Sequence, residues 1–418
     1  MIIKVSVVAA YALIIVVIGI IGLRKTRSFS DFYLGGGKVG PWMSAFSYGT
    51  AYFSAVLFIG FAGKIGWGFG YSGLWIALFN TLIGVMGVWG LLGWKIKQMS
   101  TEYNVSTISE FLEKRYDSKT MKLFGAIAIF VFLIPYCAAV FMGLSYLFTS
   151  NFGIQYWQAL AFMGIFTALY LVLGGYKSMA MIDVIFGIIM TVGVIVLFFS
   201  TTARGGGLTA ITSALSGMNP KLTELVGPPG WWPLFSLVFL TSVAPFAMPQ
   251  LIQKFYAIKD KRSVKRGMVA STFFALLIGG TAYFIGATTR VFLSPTTTPA
   301  AFDNGVPLFD RLMPELLANV IPGSLSVLVL LLILSASMST LAALVLVSSS
   351  SFAKDFYAGY VNKKISDRNL TLLMRVTSAF FVLLSVLMAY LNIDTIVAIL
   401  GISWGAIGAF FLGPFVWG

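Results

Sequence analysis

Apolar positions along this chain neither alternate with polar ones nor keep to one helical face; they run on, nearly unbroken, for twenty residues or more at a time. Such runs fall roughly at 2–23, 40–66, 73–95, 123–149, 156–175, 180–202, 231–253, 268–292, 322–351, 370–391 and 394–418. An α-helix rises about 1.5 Å per residue, so about 20 apolar residues cross the hydrocarbon of a bilayer. The pattern predicts about eleven membrane-spanning helices. The first run passes directly into Arg24, Lys25 and Arg27 without a small-residue cleavage site, so it is expected to be retained as a helix and not removed as a signal peptide.

Polar residues inside two of these runs change the picture. The second carries Ser44, Ser47, Gly49, Thr50, Tyr52 and Ser54 in close succession; the seventh carries Thr241, Ser242, Pro245 and Pro249. Each is predicted to break or unwind midway, which is tolerated at membrane depth only where protein or a watery cavity surrounds the backbone. After the first helix, the second and seventh open two five-helix sets, and an odd number per set inverts one set against the other. Paired breaks at corresponding places in two halves point to a transport binding site. A third polar cluster, Ser335 to Ser339 with Thr340, lies in the ninth run. Ser339 and Thr340 sit one turn beyond Ala336, so two hydroxyls and a carbonyl can converge as they would on a small hard cation. The same residues also suit close helix packing and bonding back to their own carbonyls.

Composition agrees with the pattern: 58% hydrophobic and 10% charged residues, with a mean hydropathy of +0.92, describe a polytopic membrane protein. The formal charge of +14 is scattered in short clusters between apolar runs, which encodes topology and not nucleic-acid binding. An outside N-terminus leaves six basic residues outside (Lys4, Lys64, Arg204, Lys221, Arg290, Arg311) and the remaining 22 of 28 inside, including Lys38, Lys177 and the segments 95–122, 259–266 and 353–375. This predicts a multi-pass protein of the plasma (inner) membrane, surrounded by lipid bilayer. One cysteine, Cys137, and no histidine exclude a disulfide framework, a Cys/His zinc site and an imidazole relay. No nucleophile with a base, phosphate-binding loop or metal cluster suggests an enzyme. Residues 101–117 are expected to form an interfacial helix capped by Thr107 or Ser109, and 204–230 and 293–321 to form short helices and loops over the external mouth.

Several stretches, in this order and spacing, resemble the sodium/solute symporter family, which includes sodium/proline, sodium/galactose and sodium/sialic acid symporters: DFYLGGGKVGPW at 31–42, FSAVLFIGFAG at 53–63, TEYN at 101–104, ISEFLEKRY at 108–116, PYCAAVFMG at 135–143, LGGYKSMAMIDV at 173–184, FAMPQLIQKFYAIKD at 246–260 and SWGAIGAFFLGP at 403–414. The resemblance implies an all-α membrane protein with a leucine-transporter-like core of five plus five inverted helices. A single transport domain would fill 1–418, with an extra helix at 1–23 and repeats at 40–202 and 231–418. One coupling Na+ would lie between the first and eighth core helices, held by the carbonyls of Thr50, Phe53 and Ala336 and the hydroxyls of Ser339 and Thr340. Asp183 matches the acid of a second sodium site that some members have, but Ala342 and Ala343 replace its hydroxyls, so a second ion is not expected. Asp183 is then either a functional carboxylate or a partner of a helix N-terminus.

The small-molecule solute would sit among Tyr52, Ser54 and Leu57 of the first core helix, Tyr136 of the third, Thr241, Pro245 and Phe246 of the sixth, and Trp404 of the tenth; any of these could equally be packing. Tyr52 stands where proline symporters carry an Asp, and Thr241 and Pro245 where they carry Trp and Tyr, which disfavours proline. The third core helix lacks the arginine that holds sialic acid, and Leu57 replaces the amide of galactose symporters. The expected solute is a short monocarboxylate or a small amino acid, imported by alternating access with one sodium ion, its charge met by helix ends. Alternatives are a sugar or vitamin symporter, a transporter-like sensor domain, or a truncated relative, since family members usually continue beyond a point such as Gly418. A passive channel would need a continuous polar lining. No feature fixes an oligomeric state.

Overall fold

The computed structural model describes residues 2–25, 29–34, 39–173 and 176–416. Helices α1 (Ile2–Lys25) and α2 (Phe29–Leu34) lead to the first interrupted rod: α3 (Pro41–Tyr52), an extended Phe53, a π-helical stretch Val56–Phe61 and α4 (Ala62–Phe69). Next come α5 (Leu74–Phe79), a π-helical stretch Asn80–Gly93 and α6 (Trp94–Glu102). Helices α7 (Ile108–Tyr116), α8 (Lys119–Phe152), α9 (Tyr156–Leu173), α10 (Tyr176–Arg204) and the short α11 (Leu208–Met218) complete the first half. The second interrupted rod is α12 (Trp231–Val243), a 3-10 turn at Ala244–Phe246, an extended Met248 and α13 (Pro249–Ala257). After it come α14 (Lys261–Phe292), a two-stranded hairpin β1 (Phe302–Asp303) and β2 (Val306–Pro307), α15 (Phe309–Asn319) and α16 (Gly323–Ser350), which continues π-helically over Ser351–Val361. Helices α17 (Asp367–Leu391) and α18 (Ile396–Val416) close the chain.

Both predicted breaks are present. Among the described residues, nine helical segments are long and apolar enough to cross a membrane, against the expected eleven. One difference is that Val56–Glu102 is continuous helix that reverses direction without a loop. Gly49 faces Phe274 and Gly66 faces Gly286, whereas Ala77 faces Gly279 and Gly93 faces Val264, so the chain runs along α14 and returns beside it. Gly70 makes the reversal at φ 59°, where a side chain would also strike the Leu222 carbonyl. The other is α9, whose described apolar part, Tyr156–Leu169, is short.

The centre of the bundle is α16 and its extension, with 89% of the apolar window buried against 22% for the peripheral α1. The interfacial helix is shorter than expected: Thr101 and Glu102 finish α6, Asn104 turns the chain at φ 51°, and only Ile108–Tyr116 is helical. Thr107 is the cap, accepting the Glu110 N–H at 3.2 Å, while the Glu110 carboxylate accepts the Ser106 N–H at 3.0 Å. Arg27 and Lys38, counted in the charge bias, lie outside the described residues.

Candidate functional site

Where α3 stops, its last carbonyls lose the amides that a continuous helix would offer. The Ala55 N–H, due to the Ala51 carbonyl in an unbroken helix, donates instead to Ser337 Oγ of α16 at 2.9 Å. The freed oxygens gather around Thr340: its Oγ1 lies 3.0 Å from the Ala51 carbonyl and 3.4 Å from those of Thr50 and Phe53, with the carbonyl of Ala336, one turn back in α16, at 3.1 Å. A hydroxyl has one hydrogen, so four carbonyls cannot all be satisfied by it. Unwound carbonyls converging beside hydroxyls are what a sodium-sized cation needs. Ser339 Oγ stands 2.9 Å from Thr50 Oγ1 and donates to Asp183 Oδ1 at 2.6 Å, which turns its lone pairs toward the cluster. The five residues expected at a cation site are therefore together. Ala51 was missed, although it lies in the same frayed turn between Thr50 and Phe53.

Asp183 sits about two turns inside α10, beyond the reach of the helix N-terminus, which removes that explanation of it. Its second oxygen accepts Ser47 Oγ at 2.6 Å, and Lys254 donates to the same hydroxyl at 3.0 Å, its Nζ 4.0 Å from the carboxylate. Both ionisable side chains are buried, each 1% exposed, and the ammonium also lies 5.0 Å from the Tyr176 ring centre. Lys254, counted by sequence among the cytoplasmic basic residues, is thus a core residue of α13. The signal was present: Gln250, Gln253 and Lys254 interrupt an apolar stretch, and all three are buried.

Between the two breaks lies a small cavity, about 40 Å³ open to the centres of water-sized spheres, enough for roughly three waters. Tyr52, Ser54, Leu57, Tyr136, Thr241 and Trp404 line it, as expected of them. Pro245 and Phe246 do not: they turn toward the Asn80–Gly93 stretch, where Gly84 and Gly87 leave room for their rings. Asn80, Tyr283 and Leu400 take part instead. The Asn80 amide donates to the Tyr52 hydroxyl and the Thr241 carbonyl, tying one break to the other. A lone amide in the apolar run 73–95 was the available sign. The Trp404 indole N–H is buried without a well-formed hydrogen bond, its ring 5.9 Å from that of Tyr136. Among the described residues no charged side chain lines the cavity.

A model of the sodium:solute symporter family matches residues 32–418. The chain is 28% identical to the high-affinity proline transporter PutP of Bacillus subtilis (strain 168), over 96% of this chain and 83% of that protein. It is 27% identical to a sodium/pantothenate symporter of Haemophilus influenzae, covering 80% of this chain and 68% of that one. In three dimensions it is similar to a Na+-coupled sialic acid symporter solved in a substrate-bound outward-open state, with a TM-score of 0.81 at 16% identity, covering 99% of this chain and 85% of that one. The likeness extends to MhsT in complex with L-phenylalanine, with a TM-score of 0.51 at 16% identity over 93% and 88% of the two chains. These neighbours share the leucine-transporter-like inverted repeat. Two interrupted helices around a cavity, and a match over nearly the whole chain, lead to one conclusion: this chain belongs to the sodium:solute symporter family.

Proposed function

We propose that the protein is a sodium-coupled symporter that imports a short monocarboxylate or a small amino acid by alternating access, with one sodium ion per cycle. The observation that carries this is the gathering of four carbonyls around Thr340, one of them from Phe53, which itself lines the cavity. Phe53 turns its carbonyl to the ion cluster, while its neighbours Tyr52 and Ser54 face the solute. An ion that ties α3 to α16 therefore fixes the wall of the solute cavity, and the coupling works in both directions. The cavity's size and its lack of charged side chains support a small solute held by Tyr, Trp and Asn groups. Extra helix 1–23 and repeats 40–202 and 231–418 form one transport unit in this proposal. With Lys254 removed from the count, 21 of the other 27 basic residues remain inside when the N-terminus is outside in the plasma membrane.

The test is the thermal stability of purified protein in sodium against potassium at equal ionic strength, for wild type and Ser339→Ala. A ligand that binds only the folded state stabilises it by about 2.7 kcal/mol at a hundred times its dissociation constant. Sodium-specific stabilisation, lost in Ser339→Ala, is expected. Equal stability of the wild type in both salts overturns the ion site, and with it the symport reading.

A further inference from the structure

Between α3, α10 and α14, on the outside of the bundle, runs a groove of about 820 Å³. Its walls are almost entirely carbon: Ala45 and Phe46 from α3, and Val269, Phe273, Phe274 and Leu277 from α14. One end is different. Lys265 and Arg266 line it opposite Trp42, all three exposed, and among the described residues no acidic side chain is part of the lining. Among the described residues neither cation is in a salt bridge, since the three ion pairs belong to Lys122, Lys254 and Lys354. From Lys265 to Leu277 the helix rises about 18 Å, close to the depth of one leaflet of a bilayer.

Aliphatic and aromatic walls one leaflet deep, two cations at the headgroup level and an indole at the interface have the chemistry of a phospholipid with a net negative head. We propose that this groove is a binding site for one anionic phospholipid of the cytoplasmic leaflet. The leaflet rests on the orientation proposed above; the site itself does not. Of the basic cluster 259–266, Lys265 and Arg266 line the groove. A zwitterionic choline head would bring a third cation against these two.

The groove adjoins the ion cluster through two rings. Phe274 sits where a side chain on Gly49 would be, 2.6 Å from the position of its Cβ, and Phe46 likewise fills the notch at Gly187 of α10, at 2.1 Å. Acyl chains in the groove press on both rings from outside and keep α3, the helix that carries Thr50, seated against α10 and α14.

The probe is phosphatidylglycerol against phosphatidylcholine of the same acyl chains, added to the full-length protein in neutral detergent, with lipid retained on the protein read by native mass spectrometry. Two charges near a lipid head, at about 1 kcal/mol each, give a preference of roughly thirtyfold for phosphatidylglycerol. The pair Lys265→Gln with Arg266→Gln is expected to abolish that preference, and Val269→Trp, which fills the groove and leaves both charges, to lower retention of both lipids. Glycerophosphate, the head without chains, is expected not to compete. Equal retention of the two lipids by wild type, an unchanged preference in the charge variant, unchanged retention in Val269→Trp, or competition by glycerophosphate each overturns the proposal. Sodium-dependent stability measured on the same preparations reports on the symport reading separately.

Discussion

Asp183 and Lys254 face each other in an apolar interior where neither would be stable alone. Desolvating each ion costs several kcal/mol, so the pair persists only because Ser47, Ser339 and the Tyr176 ring complete its shell. Asp183→Asn or Lys254→Met alone is expected to cost about 3–5 kcal/mol, because each strands the other charge. The double variant should recover most of that, as a double-mutant cycle on thermal unfolding would read. Thr340→Ala acts differently: it removes one oxygen from the ion and is expected to weaken sodium binding by about 2 kcal/mol, roughly thirtyfold, with little change in solute affinity at saturating sodium. Sodium titrations with and without solute distinguish these. Ala336, Ser339 and Thr340 were legible from helical spacing, and Thr50 and Phe53 from the family resemblance at a predicted break. Lys254 reads as solvated, since a lysine just before a basic loop looks so until a buried carboxylate on another helix is known to face it; the interruption it makes with Gln250 and Gln253 was the sign passed over.

Helix α14 meets α4 backbone to backbone. A Cβ on Gly286 would lie 2.0 Å from the Ala62 carbonyl oxygen, and one on Gly66 2.1 Å from the Gly286 carbonyl carbon. No rotamer relieves a clash with main chain, so Gly286→Ala is expected to cost about 1–3 kcal/mol or more, read as a lower unfolding temperature. Outside the spans, α15 caps α18: Asp310 accepts the Ile396 N–H at 3.0 Å. Burial pushes the Asp310 carboxyl up to about 6, against the opposing pull of that N–H and Lys64. Its folded value thus exceeds the unfolded value of about 3.9, so between about pH 4 and 6 the folded state binds more protons and stability falls as pH rises through that window. The loss reaches at most about 3 kcal/mol, and Asp310→Asn, which keeps an acceptor for Ile396, should flatten it. Amide exchange at the start of α18 between pH 4 and 7 measures both. The helix breaks were legible from proline and clustered hydroxyls. The hairpin was not, although Asn304-Gly305 is a turn signal, because its strands are two residues each, too short to leave an alternating pattern.

For the molecule as a whole, the proposed one-sodium cycle makes the charge of the solute decisive. A potential of about 100 mV supplies roughly 2.3 kcal/mol per charge moved, close to fiftyfold accumulation. A zwitterionic amino acid carried with one sodium should be taken up faster when vesicles are made negative inside; a monocarboxylate carried with one sodium should not respond. Uptake at clamped potentials separates the two. The buried pair bears on the other half of that cycle. Lys254 on α13 and Asp183 on α10 sum to zero, so helices that shift with the pair intact carry no net displacement charge through the membrane field. In the proposed cycle the return of the empty carrier is then expected to be electrically silent, so that voltage acts on the loaded step only when solute and sodium together carry net charge. Lys254→Met leaves an uncompensated negative charge and should give the empty protein a sodium-independent transient current.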